Sequence, residues 1–77
     1  MKELIEYIVK ALVDDPSQVE VTETEEGERV HIELKVAKED MGRVIGKGGR
    51  VANSMRTLLR VAAAKEGKRA FLDVIEP

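Results

Sequence analysis

One run in this 77-residue chain has the make-up of an anion site: Val44-Ile45-Gly46-Lys47-Gly48-Gly49-Arg50. Three glycines in four positions permit positive φ and remove the Cβ atoms that would keep a ligand's backbone at a distance. Lys47 projects from the bend, Arg50 opens the helix that follows, and Arg43 on the preceding segment adds a third cation. A helix that opens directly after such a bend turns its free N–H groups and positive dipole end toward phosphate oxygens. The spacing excludes two familiar phosphate loops. A Walker-type loop needs Ser or Thr where Gly48 stands, and the dinucleotide pattern G-x-G-x-x-G needs glycine where Val51 stands. The plain alternative is a tight helix-to-helix turn. Such turns commonly use one glycine, so three beside cations favour the anion reading.

Charge supports it once the chain is divided. The formal net charge is −2, which alone argues against a nucleic-acid binder. Residues 1–40 carry five basic side chains against twelve acidic ones, a balance of −7. Residues 41–69 carry eight basic side chains against Glu66 alone, a balance of +7. A separation of this size gives one face an affinity for anions that the sum conceals.

Other chemistries are poorly supplied. Cysteine is absent and there is one histidine, which removes disulfides, thiolate metal sites and His-rich metal sites. Ser17 and Ser54 have no base implied beside them, so the expectation is a protein without catalysis and without a cofactor. Hydrophobic residues at 43% and charged residues at 36% describe a globular chain. The longest apolar run, Val61–Ala64, is four residues, so no membrane association is expected. The first fifteen residues lack the apolar centre of a secretory signal, which makes the cytoplasm the expected location.

The elements that must position the bend follow from periodicity. Leu4, Ile5, Ile8, Val9 and Leu12 recur at helical spacing and predict an amphipathic helix over 2–13, stopped by Asp14-Asp15-Pro16. Alternation predicts a strand over 19–25, a turn at Glu26-Gly27-Glu28, and a second strand in which Val30, Ile32, Leu34 and Val36 face the core and His31 faces solvent. Asp40 is the expected N-cap of a short helix, Met41 to Ile45. A longer helix over about 50–65 is expected to bury Val51, Met55, Leu58, Leu59 and Ala62, with Asn53, Arg56 and Arg60 opposite. Gly67 ends it, and residues 69–75 form the last strand. The order α-β-β-α-α-β in one domain over 1–77 predicts an α+β layer, a three-stranded sheet with three helices on one face.

Ile45-Gly46-Lys47-Gly48-Gly49 resembles the Ile-Gly-x-x-Gly signature of KH domains, and the element order resembles their type II arrangement. The stretch from Gly46 through Ala52, Met55, Arg56, Thr57 and Leu58 is similar to the small stand-alone bacterial KH proteins of the KhpA family. Ala52 departs from the large aliphatic that many KH domains carry there. The resemblance implies a single RNA strand clamped through about four nucleotides, with a role as a post-transcriptional or ribosome-related RNA chaperone or regulator. The implied contacts are Arg43, Ile45, Gly46, Lys47, Gly48, Gly49, Arg50 and Asn53, with Val44, Ile45 and part of Ile32 or Leu34 under the bases. The acidic turn Glu25–Glu28 falls on the opposite lip, which implies weak and sequence-tolerant binding.

With only Tyr7 and Phe71 as aromatics, the composition disfavours a module that reads RNA by stacking bases across a sheet. Two surfaces point to protein contacts instead. Val61 and Ala64, near Ser54 and Thr57, form a small apolar face suited to a homodimer. Phe71 and Ile75 form a patch on the last strand. The resemblance adds self-association and pairing with a larger KH-containing protein. A protein-interaction adaptor working through dimerisation is therefore the alternative function.

Overall fold

A computed structural model describes residues 1–76. Six elements appear in the expected order: α1 (Lys2–Leu12), β1 (Glu20–Glu26), β2 (Arg29–Lys35), α2 (Met41–Ile45), α3 (Arg50–Lys65) and β3 (Arg69–Ile75). The sheet runs β1-β2-β3. β1 and β2 form an antiparallel hairpin closed by Gly27 and Glu28, whereas β3 lies parallel to β2. Parallel neighbours need a long crossover, and α2, the glycine bend and α3 supply it.

The period-two alternation of β2 sends Val30, Ile32 and Leu34 fully into the core, where they meet Ile5 and Val9 of α1, Val44 of α2 and Leu72 of β3. α1 ends at Leu12, one residue earlier than predicted, because Val13 is extended (φ −87°, ψ 156°) and buries its side chain beneath the turn. Its own N-terminus lacks a side-chain cap, and the Lys2 N–H donates instead to Glu23 Oε1 of β1 at 2.9 Å.

The buried stripe of α3 is Ala52, Met55, Leu59 and Ala63, which corrects the expected set. Met55 and Leu59 belong to both registers. The sheet selects the side on which small residues let the helix approach closely, and Leu58 is left 47% exposed.

Asp40 also departs from expectation. It occupies the N-cap position of α2 but makes no cap hydrogen bond. A 3₁₀ turn over Lys38–Asp40 gives it helical dihedrals (φ −96°, ψ −5°) and carries its carboxylate inward. There, at 2% exposure, Oδ1 and Oδ2 accept the backbone N–H groups of Asp14 (3.0 Å) and Asp15 (3.1 Å). Arg43 Nε stands 3.5 Å from the same carboxylate. Burying a carboxylate is tolerable only with partners of this kind, and this one ties the end of α1 to the start of α2.

Asp40→Ala leaves both N–H groups without an acceptor. It is expected to lower the unfolding free energy by about 2–3 kcal/mol. Urea denaturation followed by circular dichroism checks this, and an unchanged midpoint contradicts the clamp.

Candidate nucleic-acid interface

The bend between α2 and α3 is built on left-handed backbone. Gly46 (φ 76°, ψ 172°), Gly48 (φ 65°, ψ 20°) and Gly49 (φ 78°, ψ 13°) all lie at positive φ, where L side chains are strained. Gly46 carries a second constraint. A Cβ there would lie 2.6 Å from Val51 Cγ2 and 2.9 Å from the Val51 nitrogen. Gly48 is the opposite case, because its missing Cβ would meet nothing within 4 Å. One glycine therefore closes the bend against α3, and another leaves its outer surface bare.

Backbone bonding follows the same division. Gly46 N–H donates to the Gly42 carbonyl (2.9 Å) and Gly49 N–H to the Gly46 carbonyl (3.1 Å). α3 begins immediately afterwards with no acidic residue in its first turn, so its positive end stays uncompensated. Lys47 and Arg50 are exposed, and neither has a carboxylate within 4.0 Å among the described residues. The bend offers a glycine surface without side chains, a helix terminus and two unspent cations to solvent.

Arg43 is placed differently. Its Nη2 donates to Asp14 Oδ2 at 3.0 Å and its Nε faces Asp40, so its charge is directed to the α1 side of the molecule. Ile45 is 36% exposed and, with Met41, Lys38 and Glu76, lines a recess of about 460 Å³ beside the bend. Val44, Ile32 and Leu34 are fully buried. They hold up the floor from below and cannot touch a ligand, contrary to the expectation from sequence.

A second wall comes from β3, whose outer edge pairs with no strand among the described residues. Arg56 crosses to it, and its Nε donates to the Leu72 carbonyl at 3.2 Å. Its Nη1 donates to Asn53 Oδ1 at 3.0 Å, and Asn53 Nδ2 lies 3.7 Å from where a Gly49 Cβ would be. Gly49, Asn53, Arg56 and the β3 edge thus form a continuous line from the bend along α3. Beyond it, Arg56, Arg60, Ala70, Phe71, Leu72 and Asp73 enclose about 310 Å³. The pairing of Asn53 with Arg56 is visible in their i,i+3 spacing. The carbonyl that Arg56 grips is not, because only the strand order makes β3 an edge. At the far end Lys68 Nζ donates to Glu25 Oε2 at 3.0 Å. That hydrogen bond and the charge of Glu25 raise the Lys68 pKa. The ammonium stays charged, but its charge is already engaged by the hairpin.

Comparison with known proteins gives a consistent picture. The family model for the KhpA/KhpB KH domain matches residues 2–74. The chain is 55% identical over 75 residues to a protein of Caldanaerobacter subterraneus subsp. tengcongensis named RNA-binding protein KhpA, covering 97% of this chain and 100% of that one. It is 51% identical over 75 residues to the protein of that name from Clostridium acetobutylicum, with the same coverage. The Aquifex aeolicus protein of that name is 43% identical over 76 residues, covering 99% of this chain and 96% of the relative.

Gly46→Ala adds a steric conflict to backbone strain. It is expected to cost about 2–4 kcal/mol, against about 1–2 kcal/mol for Gly48→Ala, where strain acts alone. Urea denaturation of the two variants side by side measures the difference, and equal losses would show that the contact with Val51 is unimportant.

Proposed function

The chain belongs to the KhpA/KhpB KH-domain family, and from that premise we propose that it is a single KH domain that binds RNA without catalysis. A single strand lies along the channel between α3 and the edge of β3, with its backbone on the glycine bend. The observation that carries this reading is the bend itself. The bare backbone surface at Gly48 sits beside two unpaired cations at the start of a helix. In this reading Gly46, Lys47, Gly48, Gly49 and Arg50 take the sugar-phosphate backbone, Ile45 with Met41 offers apolar contact to a base, and Asn53 holds Arg56. The remaining Arg56 N–H groups face base acceptors. Arg43 contributes to the field of the site while bonded to Asp14. The role that fits is a post-transcriptional or ribosome-related RNA chaperone or regulator working in the cytoplasm.

The absence of catalysis is supported by the state of the polar groups. Ser54 Oγ donates to the Arg50 carbonyl, and Ser17 Oγ donates to the exposed carboxylate of its near neighbour Asp15, with no histidine or further polar side chain hydrogen-bonded to that pair among the described residues. The His31–Asp73 pair is exposed, and no helix is long and apolar enough to cross a membrane among the described residues.

Self-association belongs to the same reading. Val61 is 54% exposed on α3, with Leu58 beside it and Ser54, Thr57 and Ala64 around them. Exposed aliphatics at helical spacing suit packing against the same helix of a second copy. Two channels in one particle would raise the avidity for an RNA carrying two contact sites. The face also fits a helix of a larger KH-containing protein.

Replacing Lys47 and Gly48 together by Asp puts two negative charges where phosphates would sit. It is expected to abolish binding of single-stranded RNA in a fluorescence anisotropy titration while the circular dichroism spectrum is kept. The unmodified protein is expected to show a log–log salt slope of about −2 to −3.5, from three to five phosphate contacts. Unchanged affinity in the double variant rejects the assignment of the bend. Separately, Val61→Glu is expected to convert a dimer to a monomer in analytical ultracentrifugation, and equal masses for the two proteins would place the contact elsewhere.

A further inference from the structure

The sheet face turned away from the helices carries the chain's one phenylalanine and one histidine side by side. His31 of β2 and Phe71 of β3 are register partners. Their rings are stacked with centroids 6.3 Å apart and 28° between planes. His31 Nε2 and Asp73 Oδ2, 2.6 Å apart, fix the imidazole, and Phe71 remains 43% exposed. A flat, supported aromatic surface in solvent is the element that sequence-tolerant recognition of bases requires.

Its surroundings are cationic. Arg29 and Arg69 are also register partners on this face, and Arg60 approaches from α3. None of the three has a carboxylate within 4.0 Å among the described residues. Like charges directly opposite across a strand pair are unfavourable, and an anion lying over Arg29 and Arg69 relieves that. The acids nearby are Glu26, the register partner of Arg29, Glu28, whose carbonyl accepts the Arg69 N–H, Glu33, the register partner of Asp73, Asp73 itself, which is paired with His31, and Glu25, which is paired with Lys68.

Phe71 also joins two spaces. It lines the channel recess together with Arg56 and Arg60, and a recess of about 240 Å³ on the open face together with Thr24, Arg29 and His31. Arg60 stands eleven residues along α3 from Gly49, about 16 Å at 1.5 Å per residue. A strand that fills the channel with about four nucleotides therefore arrives at Phe71 with those that follow.

We propose that the Phe71–His31 pair is a second RNA subsite, on which a base beyond the channel stacks while Arg29, Arg60 and Arg69 take the adjoining phosphates. The strand would cross the edge of β3 from the channel onto the open face of the sheet. This rests on the RNA reading of the glycine bend. Continuity with that channel and the flat ring surface favour RNA over an acidic protein segment.

A single phenylalanine and a single histidine make their ring resonances unambiguous by NMR. With dodeca-adenylate, the Phe71 and His31 ring protons are expected to move together with the amides of Gly46 to Gly49. With tetra-adenylate only the amides should move. Phe71→Ala and the apolar Phe71→Leu are each expected to weaken dodeca-adenylate binding about tenfold, and His31→Ala, at a ring that lines the open-face recess and not the channel, to weaken dodeca-adenylate binding while leaving tetra-adenylate unaffected. Arg29→Ser with Arg69→Ser should flatten the salt slope by about 1.4, for two phosphates. Still rings with moving amides overturn the subsite and leave the channel intact. Moving rings with still amides refute the RNA reading of the bend, and with it a subsite fed from the channel. Rings that respond to an oligoglutamate peptide and not to dodeca-adenylate overturn the proposal in favour of a protein partner, and rings that respond to neither overturn it outright.

Discussion

β2 and β3 run parallel, and that constraint governs the rest of the molecule. Parallel strands cannot be joined by a hairpin. The chain between them must leave the sheet, cross its face and return. Here two helices make the crossing, and between Ile45 and Arg50 there are four residues in which to reverse from one to the other. That reversal is possible because Gly46 lets the Val51 side chain and backbone come within a distance that no Cβ allows. The same reversal leaves the outer side of Gly48 unobstructed and sets the first turn of α3 beside it. The conformation that completes the crossover also creates the bare, cation-flanked surface of the site.

A chain of this size has little core to spare, and polar ties complete what apolar packing begins. Asp40 holds the loop after α1, Glu23 holds the start of α1, and Arg56 holds the free edge of β3. Each tie connects elements far apart in sequence, and each satisfies a backbone group that neighbours in the chain leave open. Among the described residues no buried side-chain nitrogen or oxygen lacks a partner. An edge strand with free carbonyls invites pairing with other chains, and an arginine laid across the Leu72 carbonyl discourages it.

Much of this was legible in the residues. The alternation of Val30, Ile32 and Leu34 located β2 and the core face of the sheet, and the glycines between two helical segments located the bend. The face of α3 was not legible, because Ala52 and Ala63 contribute little to a hydropathy pattern and win their positions by being small. Asp40 has the side chain of an N-cap, and only the 3₁₀ turn before it shows that the carboxylate points inward. Val44, Ile32 and Leu34 were assigned to the ligand because pattern reading finds apolar residues without saying which surface of an element they support. Arg56 and Phe71 gained their places from strand order, which no local spacing encodes. The reading that only two aromatics disfavour stacking did not anticipate that His31 would stand beside Phe71.

The register of the sheet also sets a sequence of events during folding. The turn of the β1–β2 hairpin closes between Glu26 and Arg29, whereas Val30 finds Ala70 across forty residues. Loop-closure entropy makes the local pairing early and the distant one late. A partly folded chain would therefore display its acidic hairpin before its cationic channel has a second wall. The second wall of the proposed channel is complete only when β3 has joined the sheet.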